Sequence, residues 1–221
     1  MTIRGRHLAK TTKLTDHRAI AELLERYKCP TPFHAVRTRF MGSIASPAET
    51  ISPIETLKQL WHGELPAFDS VEDLNELINV LINGLWNQLT KHQTPANPFR
   101  LTRIEVRPTR EDLRNFTRVR QQEIEGFIDG VFGINEALDL PETAHKAVDV
   151  LGEVRAMLAG AGKLLEDESK SSDLSELKAL IYNLQDIGKI VEKEMNAAIQ
   201  SCRRARDHGG PHGPVNNPTM H

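Results

Sequence analysis

The side chains in this chain that could do chemistry are few and scattered. In the run Trp61-His62-Gly63-Glu64, a histidine stands beside a carboxylate. Such a pair is the material of general acid–base catalysis or of half a metal site, with His34 as a third member. The architectural reading of the same turn is favoured: Trp61 and Phe68 anchor it to a core and Gly63 ends a helix. Cys202, His208, His212 and His221 carry metal-ligand chemistry, but their spacing does not make a closed four-ligand zinc site. A His-bearing tail is the simpler reading.

Two glycine patterns suggest phosphate binding and fail on inspection. Gly160-Ala161-Gly162-Lys163 is part of a P-loop pattern, which needs glycine at position 157 and a hydroxyl at position 164; Met157 and Leu164 stand there. Gly126, Gly130 and Gly133 fall inside a helical pattern with no strand before them. Each interior helical glycine costs about 1 kcal/mol relative to alanine, so close approach of a neighbouring helix is the expected compensation. No catalytic residue, metal ligand or cofactor site is assigned.

Arg103, Arg107, Arg110, Arg114 and Arg118 recur every three or four residues, and from Arg110 onward they should line one face of a helix. Such a stripe suits an acidic partner protein or phosphates. Glu105, Glu111, Asp112 and Glu123 interleave with it, which favours a solvated, salt-bridged face. It is nonetheless the best local pointer to a partner.

The elements that must position these groups read as helices. Residues 1–14 are basic and weakly patterned, and Asp16–Tyr27 forms a first helix on Ile20, Leu23 and Leu24. Thr31-Pro32 opens a second, with Thr31 as cap, running to Ala45 before Pro47. Ser52-Pro53-Ile54-Glu55 opens a short third helix that ends near Trp61. Ser70–Lys91 carries apolar residues at spacings of three and four, and residues 92–100, with Pro95 and Pro98, are a loop. Thr109 caps a helix whose stripe is Leu113, Phe116, Ile124, Phe127, Ile128 and Val131. Pro141 opens another, expected to weaken at Gly160 and Gly162. Residues 166–173 are a polar linker, and Asp173 caps a long last helix suited either to packing within the chain or to a seam between two copies in a homodimer. Sustained period-two alternation is not evident. The expected fold is all-α, an irregular bundle of about seven helices ending in a long helix or helical hairpin.

Residues 33–135 resemble the YecA/YgfB-like family of small helical bacterial proteins. The resemblance rests on Phe40, Met41, Ala45, Ser46 and Pro47; then Pro53 and Leu57; then Trp61, Gly63, Glu64, Pro66 and Phe68; then Asn87; and last Gly126, Phe127 and Gly130. Arg39 and Thr56 depart from the family pattern, and the Cys-rich metal motif that ends many members has no counterpart here. The resemblance implies a helical core over 29–135; composition and patterning place a basic arm and first helix (1–28) before it, and C-terminal helices (136–205) and a Gly-, Pro- and Asn-bearing disordered tail (206–221) after it. It also implies a regulatory or adaptor role without catalysis.

Composition sets outer bounds. The chain has 221 residues with a formal net charge of -2 and two cysteines. No global field draws it to nucleic acid or an anionic membrane, and its length allows a sizeable core without staples. The first residues lack a signal-peptide pattern and no apolar stretch is long enough to span a bilayer, so a cytoplasmic location is expected. Three functions fit, in this order: a non-catalytic interaction protein with an unidentified protein partner; a metal-binding protein or metal-dependent enzyme using His34, His62 and Glu64; and a nucleic-acid-associated regulator using the arginines.

Overall fold

The structure, a computed structural model, describes residues 16–48, 51–134, 138–167 and 173–208. Among these, seven helical rods account for most of the chain. Helix α1 is His17–Arg26, capped by Asp16, whose side chain accepts from the Arg18 amide. Helix α2 is Phe33–Ala45 and α3 is Pro53–Gln59, the latter capped by Ser52, which accepts from the Glu55 amide. The fourth rod begins as α4 (Val71–Ile78), widens into a π-helical stretch (Asn79–Trp86) and closes as α5 (Asn87–Leu89). Helices α6 (Arg110–Phe132), α7 (Glu142–Glu166) and α8 (Leu174–His208) complete the bundle, with α7 packed along both α6 and α8.

Helix α2 is the centre of the molecule and is buried almost all round. One side packs Phe40 edge-on to Trp86, with ring centroids 5.3 Å apart. The other side, Ala35, Thr38, Arg39, Gly42, Ser43 and Ser46, lies against α6. These positions recur three and four apart and so share a face, as do Gly126 and Gly130 opposite. A Cβ on Gly126 would sit 2.6 Å from the Ala35 carbonyl oxygen, and one on Gly130 would fall on the Arg39 carbonyl oxygen and 2.9 Å from the Ser43 amide. A Cβ on Gly42 would fall on the Phe127 carbonyl. Backbone meets backbone here because no side chain stands between, and the expected close approach is what is found. Ser43 Oγ donates to the Gly130 carbonyl (3.1 Å) and Ser46 Oγ to that of Val131 (2.6 Å). At about 1 kcal/mol each, such bonds help offset the helical cost of the glycines.

Arginines hold the helix ends. Arg206 of α8 donates to the carbonyls of Ile44 (2.8 Å) and Ser46 (3.1 Å) at the C-terminus of α2, where a cation is favoured. Arg110 does the same for α7, donating to Leu165 O (3.2 Å) and Asp167 O (2.9 Å).

Several expectations are corrected. The helix-entry residue before α2 is Pro32, not Thr31: Thr31 Oγ1 is drawn off to the Leu60 carbonyl at 3.2 Å. Helix α7 runs without a break through Gly160 and Gly162, because hydrogen bonding and its buried face (Val154, Leu158, Leu165) outweigh two glycines. A strict repeat of four (Leu77, Leu81, Leu85, Leu89) drifts around a 3.6-residue helix, and the π-helical turns undo that drift. The 92–100 loop contains a two-residue ladder, β1 (Gln93–Thr94) against β2 (Asn97–Pro98), with Pro95 and Ala96 at its tip. Helix α8 reaches His208, three residues into the expected tail. The basic arm, the middle of the 166–173 linker, His212 and His221 lie outside the described residues, as does the side chain of His208.

The α2–α6 contact yields a paired prediction. Gly130→Ala should destabilise the fold by about 1–3 kcal/mol or more through overpacking against the Arg39 backbone. Gly160→Ala, where nothing among the described residues lies within 4 Å, should stabilise it by about 0.5–1 kcal/mol. Urea denaturation of the two variants checks both signs.

Candidate partner-binding groove

The segment between β2 and α6, Phe99 to Arg107, is neither helix nor paired strand, and it runs without a bend. Side chains from three helices bind its main chain at one end. Asn196 of α8 accepts from the Phe99 amide (2.8 Å) and donates to the Phe99 carbonyl (3.0 Å). Glu192 of the same helix accepts from the Leu101 amide at 3.1 Å. Glu123 of α6 accepts from the Thr102 amide (2.8 Å), Arg120 donates to the Thr102 carbonyl (2.9 Å), and Arg37 of α2 donates to the Arg100 carbonyl (3.1 Å).

This clamp buries charge. Arg120 and Glu123 form an ion pair with side chains 8% and 0% exposed. Arg120 also lies over the Phe116 ring at 5.0 Å, and its Nε has no acceptor among the described residues. Arg37 covers the Phe99 ring at 5.4 Å, and burial pulls its pKa below the usual arginine value.

Beyond Thr102 the clamp ends. Arg103, Glu105 and Arg107 are exposed while Ile104 and Val106 are half-buried, the alternation of a strand with one wet face. The residues 101–107 carry this period-two signal in sequence, Leu-Thr-Arg-Ile-Glu-Val-Arg, too short to read as sustained alternation. The main-chain groups of Arg103–Val106 have no hydrogen-bond partner among the described residues. Beside this segment runs an open groove of about 350 Å³, with α8 as its far wall. Arg100, Arg103, Arg120, Gly188, Lys189 and Glu192 are among its lining residues. Arg100 is paired with Glu192 and Lys189 with Asp186 (2.8 Å), whereas Arg103 has no ion pair among the described residues.

The arginines of the expected stripe have separate engagements in the structure. Arg103 and Arg107 lie before α6 begins. Arg107 forks onto Asp112 (Nε 2.9 Å, Nη2 3.2 Å), which holds that carboxyl below the usual range, and Arg110 is committed to the end of α7. Arg118 donates to Asn115 at 2.7 Å and, with Arg114 and Lys163, borders a wide recess of about 740 Å³ between α6 and α7 that also carries Glu111 and Glu166. Of the five, Arg103 is the one placed at the groove.

His34 lies on α2 with Nε2 2.8 Å from Gln122 Oε1, and burial lowers its pKa. His62 is exposed in the turn after α3, at φ +62°. Gly63 follows at φ +104°, a conformation that suits glycine, and its amide donates back to the Lys58 carbonyl at 3.0 Å. Trp61 Nε1 donates to the Tyr27 carbonyl (3.0 Å), and Tyr27 stacks edge-on to Phe68 at 5.2 Å. The turn is thus held by its aromatic residues. Among the described residues no group of three or more His, Cys, Asp or Glu side chains converges on one point. The Gly160–Lys163 run is plain helix inside α7.

A recess of about 230 Å³ lies where α3 meets α2 and α6, walled by Ile51, Ile128 and Phe132. Its charged groups are already engaged: Arg39 with Asp129 and the Gln59 carbonyl (3.0 Å), and Glu55 with Lys58 (2.7 Å).

No helix among the described residues is long and apolar enough to cross a membrane. The chain matches no protein-family model, no curated protein and no solved structure.

Both cysteines are free thiols. Burial drives Cys202 up to about 11, against the pull of Arg206, and also raises Cys29, whose Sγ donates to the Leu60 carbonyl at 3.7 Å. Since the thiolate is the reactive form, Ellman's reagent at about pH 8 should modify Cys29 slowly and leave Cys202 intact until guanidinium unfolds the chain. Equal native rates for the two thiols would contradict this placement.

Proposed function

We propose that this protein is a non-catalytic cytoplasmic interaction protein that acts by binding a protein partner. The observation that carries the reading is the groove beside residues 100–104. It is open, and the segment on one side of it carries free main-chain donors and acceptors from Arg103 onward. Arg103 stands at its edge without an internal counter-ion. An open groove fits a polypeptide segment better than a compact substrate, which needs a concave, mostly enclosed pocket. The resemblance of residues 33–135 to the YecA/YgfB-like family supports the same reading, because regulatory or adaptor roles are what it implies.

The test is affinity capture with the full chain, followed by reconstitution from purified components. The wild-type chain should hold one partner stoichiometrically, and the exposed double variant Arg103→Glu/Lys189→Glu should lose it while keeping its helical circular dichroism. A partner retained by the double variant would move the interface elsewhere. Failure to reconstitute any complex would contradict the reading.

A further inference from the structure

Building on the partner-binding reading, we infer that the groove takes an acidic peptide in extended conformation, added as a strand alongside Arg103–Glu105. Three observations converge on it.

The first is the main chain. In an extended segment, residues two apart present their N–H and C=O groups to the same edge. Phe99 and Leu101 turn theirs toward α8, where Asn196 and Glu192 bind them. Arg103 and Glu105 follow on that edge. One turn further along α8 stands Gly188, with no side chain to reach across. The side chains of α8 thus act as a surrogate strand for the first half of the segment and leave the second half open. Free donors and acceptors at the edge of an extended segment are what a peptide uses when it adds as a strand.

The second is the absence of a packing reason for Gly188. A Cβ there would make only ordinary contacts, 3.5 Å from Arg120 Nε and 3.6 Å from the Phe116 ring. Glycine inside a helix costs about 1 kcal/mol relative to alanine. Unlike Gly42, Gly126 and Gly130, it recovers none of that through close helix contact within the chain. A second backbone lying in the groove would make use of the space.

The third is charge. Four of the lining side chains are cationic (Arg100, Arg103, Arg120, Lys189) and one is a carboxylate, Glu192. Internal carboxylates answer three of the cations: Glu192 for Arg100, Glu123 for Arg120 and Asp186 for Lys189. Arg103 is left over, and the nine-tenths-buried Arg120 keeps an Nε donor without an acceptor at the groove floor. Glu105, just past the lining residues in sequence, sets the limit of the positive stretch. A peptide with acidic side chains on one face and small apolar ones on the other matches both Arg103 and the half-buried Ile104. A nucleic-acid strand answers the charge but has no regularly spaced backbone amides to pair with the main chain.

The experiment uses the full-length chain and a fluorescein-labelled hexapeptide of alternating glutamate and valine, read by anisotropy. Controls are the lysine–valine counterpart, the same acidic peptide N-methylated on alternate amides, and a short oligothymidylate. The acidic peptide should bind saturably and weaken with added salt. Arg103→Glu and Lys189→Glu should each weaken it roughly tenfold, and the methylated peptide should lose binding on at least one of its two edges. Equal binding of the lysine peptide, undiminished binding by both methylation patterns, or no saturable binding would each overturn the inference. Tighter binding of the oligothymidylate would replace the peptide with nucleic acid. A protein partner captured through this groove alongside a failed acidic peptide would sink this inference alone and leave the partner-binding reading standing.

Discussion

Helices α2 and α6 meet backbone to backbone, and the rest of the bundle is arranged around that meeting. Gly42, Gly126 and Gly130 remove the side chains that would hold the axes apart, and Ser43 and Ser46 bond across the gap. The contacts advance together along both helices, from Ala35 with Gly126 to Ser46 with Val131, so the two run in the same sense. Parallel helices cannot be joined by a tight turn. The chain between them must make a long return, and α3, the π-bearing rod, the hairpin and the 99–107 segment are that return.

The geometry of the groove follows from this. The returning segment comes in over α2 and α6, and the same two helices supply most of its clamp: Arg37 from α2, Arg120 and Glu123 from α6. Helix α8 supplies the remainder. Burying the Arg120–Glu123 pair costs desolvation that its mutual attraction repays only when the remaining polar atoms are satisfied; the Thr102 amide and carbonyl satisfy most of them. The pair therefore fixes the register of the segment, and everything past Thr102 emerges in a defined place with its main chain free. Structure and proposed function are linked through that one residue's backbone.

Much of the fold could be read from the chain. Caps at Ser52, Ser70 and Thr109 were legible because a short polar side chain before an apolar repeat has a single local job. The buried stripe of α6 followed from its period, and the glycines of the crossing were legible as a cost needing a return. Their partner face on α2 was not, since Ala35, Thr38, Gly42 and Ser43 form no apolar pattern; small residues signal contact only once the other helix is in view. The engagements of the arginines were hidden for a related reason. Even spacing says where the helix puts them from Arg110 onward, but not that Arg110 is taken by the carbonyls of α7, a partner 55 residues away in sequence. The groove itself was hidden because its walls come from residues 100–104 and 185–192, which meet only in three dimensions.

The claim that the α2–α6 crossing is the keystone is tested most directly by native-state hydrogen exchange. The amides of Phe40–Ile44 in α2 and Ile124–Phe127 in α6 should share the highest protection in the molecule and exchange only through global unfolding. Their free energies of opening should match the stability measured by denaturant. Exchange of the α2 amides through a cheaper, local opening, or a protection maximum located in α7 and α8 instead, would contradict the account.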